Sequence, residues 1–409
     1  MALTTDLDSI LKTLYLPPIR ENFNRATVLM NALRVGNEGV SGTEVHTPLW
    51  YGYSQGVGAR SEDQTLPSAR KNQYKVSTVS LKTNYGRVEL SGHLIRATKD
   101  DRGSFIRAIG SEIQNMTAGI KNDYNRQCFG DGTGALATIN EADGTKHQAE
   151  TITVDSTQYL RSDMPIMIDH TDGVAAHEYT ITGDITSSTV VTNATTALGG
   201  LSVSFDDNDI MYRGEAASQH SKDIEIMGLK GLVYDTSLDI QGVDVSANSW
   251  WKPATGVAMD AIADVEDDLQ TMYTNIEKNG GTPDLMVTTY AMRDNYAKQL
   301  QGQRRYANVM DFKGGFKGLE FNGLAIVPDK DCQDGGNSPK GAIANLGSGY
   351  MLDTSTLSFQ TKSDWDWMDM DGAIWNRVTN KDAYEATIFY ESNMVCYARN
   401  RNCHIYDNV

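Results

Sequence analysis

GSFIRAIGSEIQNMTAGIKNDYNRQCFGDGTG, residues 103–134, contains a helix pattern and a cluster of glycines, and their order decides how the chain is read. A glycine loop cradles phosphate when it opens a helix, because the first-turn N–H groups then face the anion with the positive end of the dipole behind them. Here the helix comes first. Ile106, Ile109, Ile113, Met116, Ile120 and Tyr124 recur at spacings of three and four, while Arg107, Glu112, Lys121 and Asp123 fall off that stripe. Ser104 is the candidate N-cap. Gly130 stands where a C-cap takes a left-handed residue, and no Lys-Ser or Lys-Thr follows. The carbonyl end of the dipole would also repel an anion. The stretch predicts a helix from about Ser104 to Cys128, about 37 Å long, and then a turn.

Upstream, YKVSTVSL (74–81) and RVELSGHLI (87–95) are β-rich, and KTNYG (82–86) between them offers Asn84 and Gly86 as turn residues, which predicts a hairpin. Before it, residues 36–67 are mostly Gly, Ser, Thr and polar, and YGYSQGVGARSEDQTLPSA (51–69) reads as an extended loop. Loop and hairpin together make a projecting arm. Residues 1–35 carry two short amphipathic patterns, Leu3, Leu7, Ile10, Leu11 and Leu14, then Phe23, Ala26, Met30 and Leu33, split by Pro17-Pro18. Segments so short cannot hold a helix alone, so they dock on their own domain or on another subunit.

Downstream, residues 136–215 change to short β-like runs (TITV, PIMI, EYTIT, STVVT, LSVSF) split by Asp, Gly, Ser and Asn, which reads as a small all-β insertion. In GVAMDAIADVEDDLQTMYTNIEKNGG (256–281), Val257, Ile262, Val265, Leu269, Met272 and Ile276 keep helical spacing, with Gly280-Gly281 as the stop. PDLMVTT (283–289) reads as a buried strand, YAMRDNYAKQL (290–300) as a helix, and FNGLAIVPD (321–329) and EATIFYESNMVCYARN (385–400) as strands. The class is α+β, with no repeat of solenoid period.

A chain of 409 residues suggests two or three domains. It has no long apolar run and no signal-like start, which predicts a soluble protein made in a cytoplasm. Lys plus Arg number 36 against 53 Asp plus Glu, and the net charge of -17 opposes tight binding to nucleic acid or an anionic membrane. Cys128, Cys332, Cys396 and Cys403 are too sparse for a disulfide framework and read as free thiols.

Candidate chemistry is thin. His177-Glu178 lacks a second His four residues on, since that position is Ile181. Cys403-His404 with Cys396 makes three ligands at most on a β-like tail. DWDWMDMDG (364–372) is dense in carboxylates, yet no calcium-loop frame fits it, and it reads as a solvated acidic loop anchored by tryptophans. No G-x-S-x-G elbow occurs, and the seven histidines pair no base with a nucleophile. Lys71, Lys75 and Lys82 read as solubilising charges that protect strand edges. No catalytic, cofactor or metal residue is predicted.

Taken in order, LYLPPIRENFNRATVLMNAL (14–33), GVGARSEDQTLP (56–67), GRVELSGHLIRATKDDRGSF (86–105), NRQCFGDGTG (125–134), GLVYDTSLDIQGVDVSANSWW (231–251) and YEATIFYESNMVCYARNR (384–401) resemble the major capsid protein of tailed bacteriophages, with its Hong Kong 97-type fold. The resemblance implies an N-terminal arm (1–35), an extended loop with a β-hairpin (36–95), a spine helix and peripheral domain (96–135), the all-β insertion (136–215), an axial domain (216–380) and a return strand (381–409). It implies a protein that is not an enzyme and that assembles with itself into hexamers and pentamers, forming an icosahedral shell around the phage genome. The shell would be built in the host bacterial cytoplasm and belong to the virion. A portal, packaged DNA as a non-specific neighbour and no membrane would complete the picture. No long charged segment precedes Leu3, which leads us to expect a separate scaffolding protein. Expected assembly contacts are Arg60, Lys82, Tyr85, Arg87 and Glu89 on the arm, and Phe23 and Met30 before it, with Arg87 exposed on its own subunit and facing charges on a neighbour. The rivals are a virion-surface or secreted β-rich protein that binds sugar or metal through residues 364–375 and, third, a hydrolase.

Overall fold

The computed structural model describes residues 28–92, 102–140, 145–146, 149–169, 177–183, 185–186, 189–194, 203–204, 207–216, 219–234, 237–303, 310–311, 317–332, 347–369 and 374–407. In chain order the principal elements are α1 (Val28–Ala32), β1 (Arg34–Gly36), β2 (Glu44–Gly52), β3 (Gln73–Ser80), β4 (Lys82–Ser91), α2 (Arg102–Phe129), β5 (Ala135–Thr138), β6 (Ala149–Thr153), β7 (Pro165–Asp169), β8 (His177–Ile181), β9 (Thr189–Ala194) and β10 (Ile210–Ala216). They continue with β11 (Val257–Met259), α3 (Val265–Lys278), β12 (Leu285–Thr288), α4 (Tyr290–Gln303), β13 (Lys317–Phe321), β14 (Leu324–Pro328), β15 (Gly349–Leu352), β16 (Leu357–Trp367), β17 (Ala383–Cys396) and β18 (Cys403–Asp407).

The apolar stripe of α2 faces a sheet. Ile113 and Tyr124 are buried, Met116 and Ile120 pack beside them, and Ile106 and Ile109 lie outside the described side chains. Under the helix, β17 pairs antiparallel with β4 on one side and with β16 on the other, and β1 adds parallel to β16. Tyr124 locks helix to sheet: its ring meets Tyr390 of β17 edge-on at 5.5 Å, and its hydroxyl lies 2.7 Å from the Ser392 hydroxyl. A second sheet takes β5 to β10 together with Gln219–His220, and Ile152, Ile166, Ile168, Tyr179 and Met211 form its separate core. A third, mixed sheet runs in the order β11-β18-β15-β12-β14-β13 and packs on α3 and α4 through Leu269, Met272, Ile276 and Met286.

Four expectations are corrected. The predicted hairpin does not form, because β3 pairs with β2 from Glu44↔Ser80 to Gly52↔Gln73, while β4 leaves it and runs beside β17 from Ala383↔Ser91 to Ser392↔Lys82. Asn84 and Gly86 therefore lie inside a strand. Glycine is needed at position 86 because α2 crosses close by: a Cβ there would come within 2.1 Å of Ile120 Cδ1. Gly86→Ala should accordingly cost about 1–3 kcal/mol through overpacking, read as a lower urea midpoint; an unchanged midpoint would show that Ile120 simply moves aside. The arm is thus β2, loop 53–72 and β3, and Glu44–Gly52 within the stretch taken for loop is strand, with Val45, Thr47 and Leu49 turned inward.

The second correction concerns the stop of α2. Gly130 does not adopt the left-handed conformation; Gly132 (φ 84) and Gly134 (φ 82) do. Third, Val257 and Ile262 precede α3, because Val257–Met259 pairs parallel with β18 and the helix begins only at Val265. Fourth, Asp364 to Trp367 is no loop. Strand alternation in β16 buries Trp365 and Trp367 and leaves Asp364 exposed and Asp366 partly so. Among the described residues, no helix is long and apolar enough to cross a membrane, and all four cysteines are free and buried.

Candidate assembly surface

The arm carries its apolar groups on the outside. Along β2 the inward positions are Val45, Thr47 and Leu49, so Trp50 falls on the outer face, and Tyr74 and Val76 are likewise exposed on β3. At the tip Val57 is 82% and Leu66 80% exposed, which places large apolar side chains in water on a two-stranded projection. The loop braces itself. Ser54 takes its amide to Asn72 Oδ1 (3.0 Å) and donates its hydroxyl to the Arg70 carbonyl (2.6 Å), and Arg60 donates to the carbonyls of Thr65 (3.2 Å) and Ala59 (2.8 Å). Trp50 meets Tyr53 edge-on at 4.5 Å. Residues 53–76 hold Arg60, Arg70, Lys71 and Lys75 against Glu62 and Asp63, the acids lying at the tip and three of the four bases toward the strand Gln73–Ser80.

The expected contact residues do not gather in one place. Arg60 is exposed on the arm, whereas Lys82, Tyr85, Arg87 and Glu89 sit on β4, in the sheet under α2. Tyr85, Arg87 and Glu89 are exposed as expected, but the charges also have partners inside the chain: Lys82 donates to the Asp223 carbonyl (2.8 Å), Arg87 pairs with Glu385 of β17, and Glu89 lies 3.9 Å from Lys381. Arg87→Glu would therefore place a carboxylate beside Glu385 and is expected to cost the subunit about 0.5–1 kcal/mol. Met30 does not face outward, because α1 buries it in the core under the sheet. Phe23 lies outside the described residues. The exposed Trp50, Tyr74 and Val76 were missed, although an aromatic on the polar parity of an alternating strand is a usable signal.

The remaining candidates have other duties. A groove of about 420 Å³ between β4 and α2 is lined by Arg87, Glu112, Met116, Ile120, Asp123 and Arg213, none of them a nucleophile with its base. Burial pushes the Cys396 and Cys403 thiols up to about 12, and Cys403 Sγ donates to the Thr255 carbonyl. Asp371 and the side chain of His177 lie outside the described residues. His404 is packed between Tyr234 and Tyr406, and burial lowers its pKa from 6.5 to about 4. As pH falls the unfolded chain takes up this proton first. The stabilisation is complete above about pH 6.5 and lost progressively down to about pH 4, amounting to about 3 kcal/mol. His404→Gln should flatten the stability curve between those limits; an unaltered slope would assign it to other groups.

No protein-family model matches the sequence, and no curated protein does. Among solved structures, a chain of the cyanophage A-1(L) capsid asymmetric unit is similar with a TM-score of 0.52 at 12% identity, covering 93% of this chain and 92% of that one. More distant are a Mycobacterium phage Bobi structure (TM-score 0.44, 10% identity, 94% and 91% covered) and the holo-SrpI encapsulin complex from Synechococcus elongatus PCC 7942 (0.46, 8%, 92% and 86%). The first match shows the fold, and it runs through nearly the whole chain.

Proposed function

We propose that this chain, which has the Hong Kong 97-type fold, is the major capsid protein of a tailed bacteriophage. The observation that carries the reading is the match to a capsid chain over nearly the full length of both. Copies would join in rings of six and five that close into an icosahedral shell, with interfaces supplying the free energy and no bond chemistry required. The arm supports this: its exposed aromatic and aliphatic groups are suited to covering a neighbour, which would remove apolar surface from water at about 25 cal/mol per Å². The net charge of -17 suits a container that must release its DNA, leaving the genome a non-specific neighbour. A separate scaffolding protein and a portal would complete assembly in the bacterial cytoplasm. The rival sugar or metal reading loses its tryptophan platform, since Trp365 and Trp367 face the core.

Sedimentation and electron microscopy of the purified protein, alone and co-expressed with its scaffolding protein, test the reading. Capsomers or shells far above the 44.9 kDa of one chain are expected. A strictly monomeric species at every salt and protein concentration, with and without that partner, would sink it.

A further inference from the structure

The arm is seated on its own subunit by an aromatic stack that lies outside the strand ladder. β2 and β3 pair in register up to Trp50↔Tyr74; the register then slips, so that Gly52 faces Gln73 and Tyr51 has no cross-strand partner. A bulge of this kind re-aims the side chain it frees. The Tyr51 ring lies flat on Trp250, with centroids 4.8 Å apart and planes 9° from parallel, and Trp250 meets the buried Trp251 edge-on at 5.6 Å. On the other strand of the arm, Thr78 donates its amide to the Gln241 carbonyl (3.0 Å), and Lys75 lies within electrostatic reach of Asp244.

The segment that receives these contacts is stiff. The Val245 amide is held by Asp239 and the Ser246 and Ala247 amides by Asp244, while Ile240, Val243 and Val245 are buried beneath. The arm strands are held to the subunit as far as Leu49, with Val45, Leu49, Ser77 and Val79 buried and Asn393 donating to the Ser80 carbonyl (2.7 Å). Beyond Gly52, the hydrogen bonds of the described loop residues stay within the loop.

We propose that residues 237–251 form a seat whose Tyr51–Trp250 stack fixes the direction of the outer arm, and that opening the stack lets the arm beyond Leu49 swing about the last in-register pair, Trp50 and Tyr74. The seat is a property of the single subunit. Its consequence for assembly rests on the capsid reading: a fixed arm sets the angle at which neighbouring copies meet, and a swinging arm lets that angle vary.

The test is a distance distribution by pulsed electron paramagnetic resonance on the isolated subunit, with spin labels on the exposed sites Ser61→Cys and Lys278→Cys; the four native cysteines are buried. A single narrow distance is expected in the parent and in Trp250→Phe, which keeps a ring on the seat. Trp250→Ala and Tyr51→Ala should each add a second, broad population. The unseated fraction should rise about two- to twelvefold, the equivalent of one aromatic pair. Should Trp250→Ala fail to fold, the half-exposed Tyr51→Ala decides alone. Equal widths in the parent and in whichever of the two alanine variants folds overturn the seat, and so does a parent that is already broad. Shells from Tyr51→Ala should spread in diameter under the electron microscope. A parent that stays monomeric with and without its scaffolding protein defeats the capsid reading and leaves the distances to decide the seat.

Discussion

Ile113→Asp is expected to abolish soluble folded protein. Ile113 lies midway along α2 and is 1% exposed, in the core shared by the helix, the sheet beneath it and α1. Aspartate there loses the transfer free energy of the isoleucine, leaves a gap where its branches were, and buries a carboxylate away from water. The first two effects together cost about 2–5 kcal/mol in large-to-small core substitutions. The buried polar group adds several more, whether it stays charged or takes up a proton. The sum reaches the roughly 5–15 kcal/mol that holds a typical domain together. Ile113→Val is the control, at about 0.5–1.5 kcal/mol. Soluble yield and thermal melting by circular dichroism decide the matter. An aspartate variant melting within a few degrees of the parent would show that this face of α2 is not core.

Arg399→Ala should be nearly as damaging, for a different reason. The Arg399 side chain is wholly buried, and its guanidinium donates from Nε to the Leu232 carbonyl (2.8 Å), from one terminal nitrogen to Gly231 (3.1 Å) and from the other to Leu238 (3.3 Å). Those carbonyls belong to the turn Lys230–Tyr234, a short i→i+5 winding, and to the segment just after it. Alanine would take this donor from two buried acceptors and one half-buried one at about 1–3 kcal/mol each, less what water recovers, for a net loss of about 3–5 kcal/mol. Lysine should rescue little, because a single ammonium cannot reproduce a planar fork reaching three directions. Urea unfolding reads both variants. If Arg399→Lys kept the parental midpoint, the fork geometry would be irrelevant.

Arg399 also shows what reading along the chain could not recover. Nothing near RNRNCH marks that arginine as buried, because its acceptors lie more than 160 positions upstream. The same limit explains β4. KTNYG has real turn chemistry, and reading it as the tip of a hairpin with β3 was sound locally. Its partner is β17, with Arg87 and Glu385 298 positions apart, and the glycine serves the crossing helix. In DWDW the carboxylates suggested solvent, whereas alternation along a long strand sent both tryptophans inward. Val257 kept helical spacing by coincidence, and pairing with β18 claimed it for a strand.

Period, composition and charge were enough to specify α2, the α+β class, the β-rich character of residues 136–215 and the acidic balance, because these signals are local or additive. The sequence also carried the resemblance to capsid proteins, which rests on the order of segments. Only the tertiary structure decided which strands form the arm, which arm groups stand in water, that Met30 is core and Arg87 already paired, and that Tyr51 rests on Trp250. Strand pairing and side-chain seating join residues hundreds of positions apart, and their free energy comes from surfaces that meet only once the chain has folded.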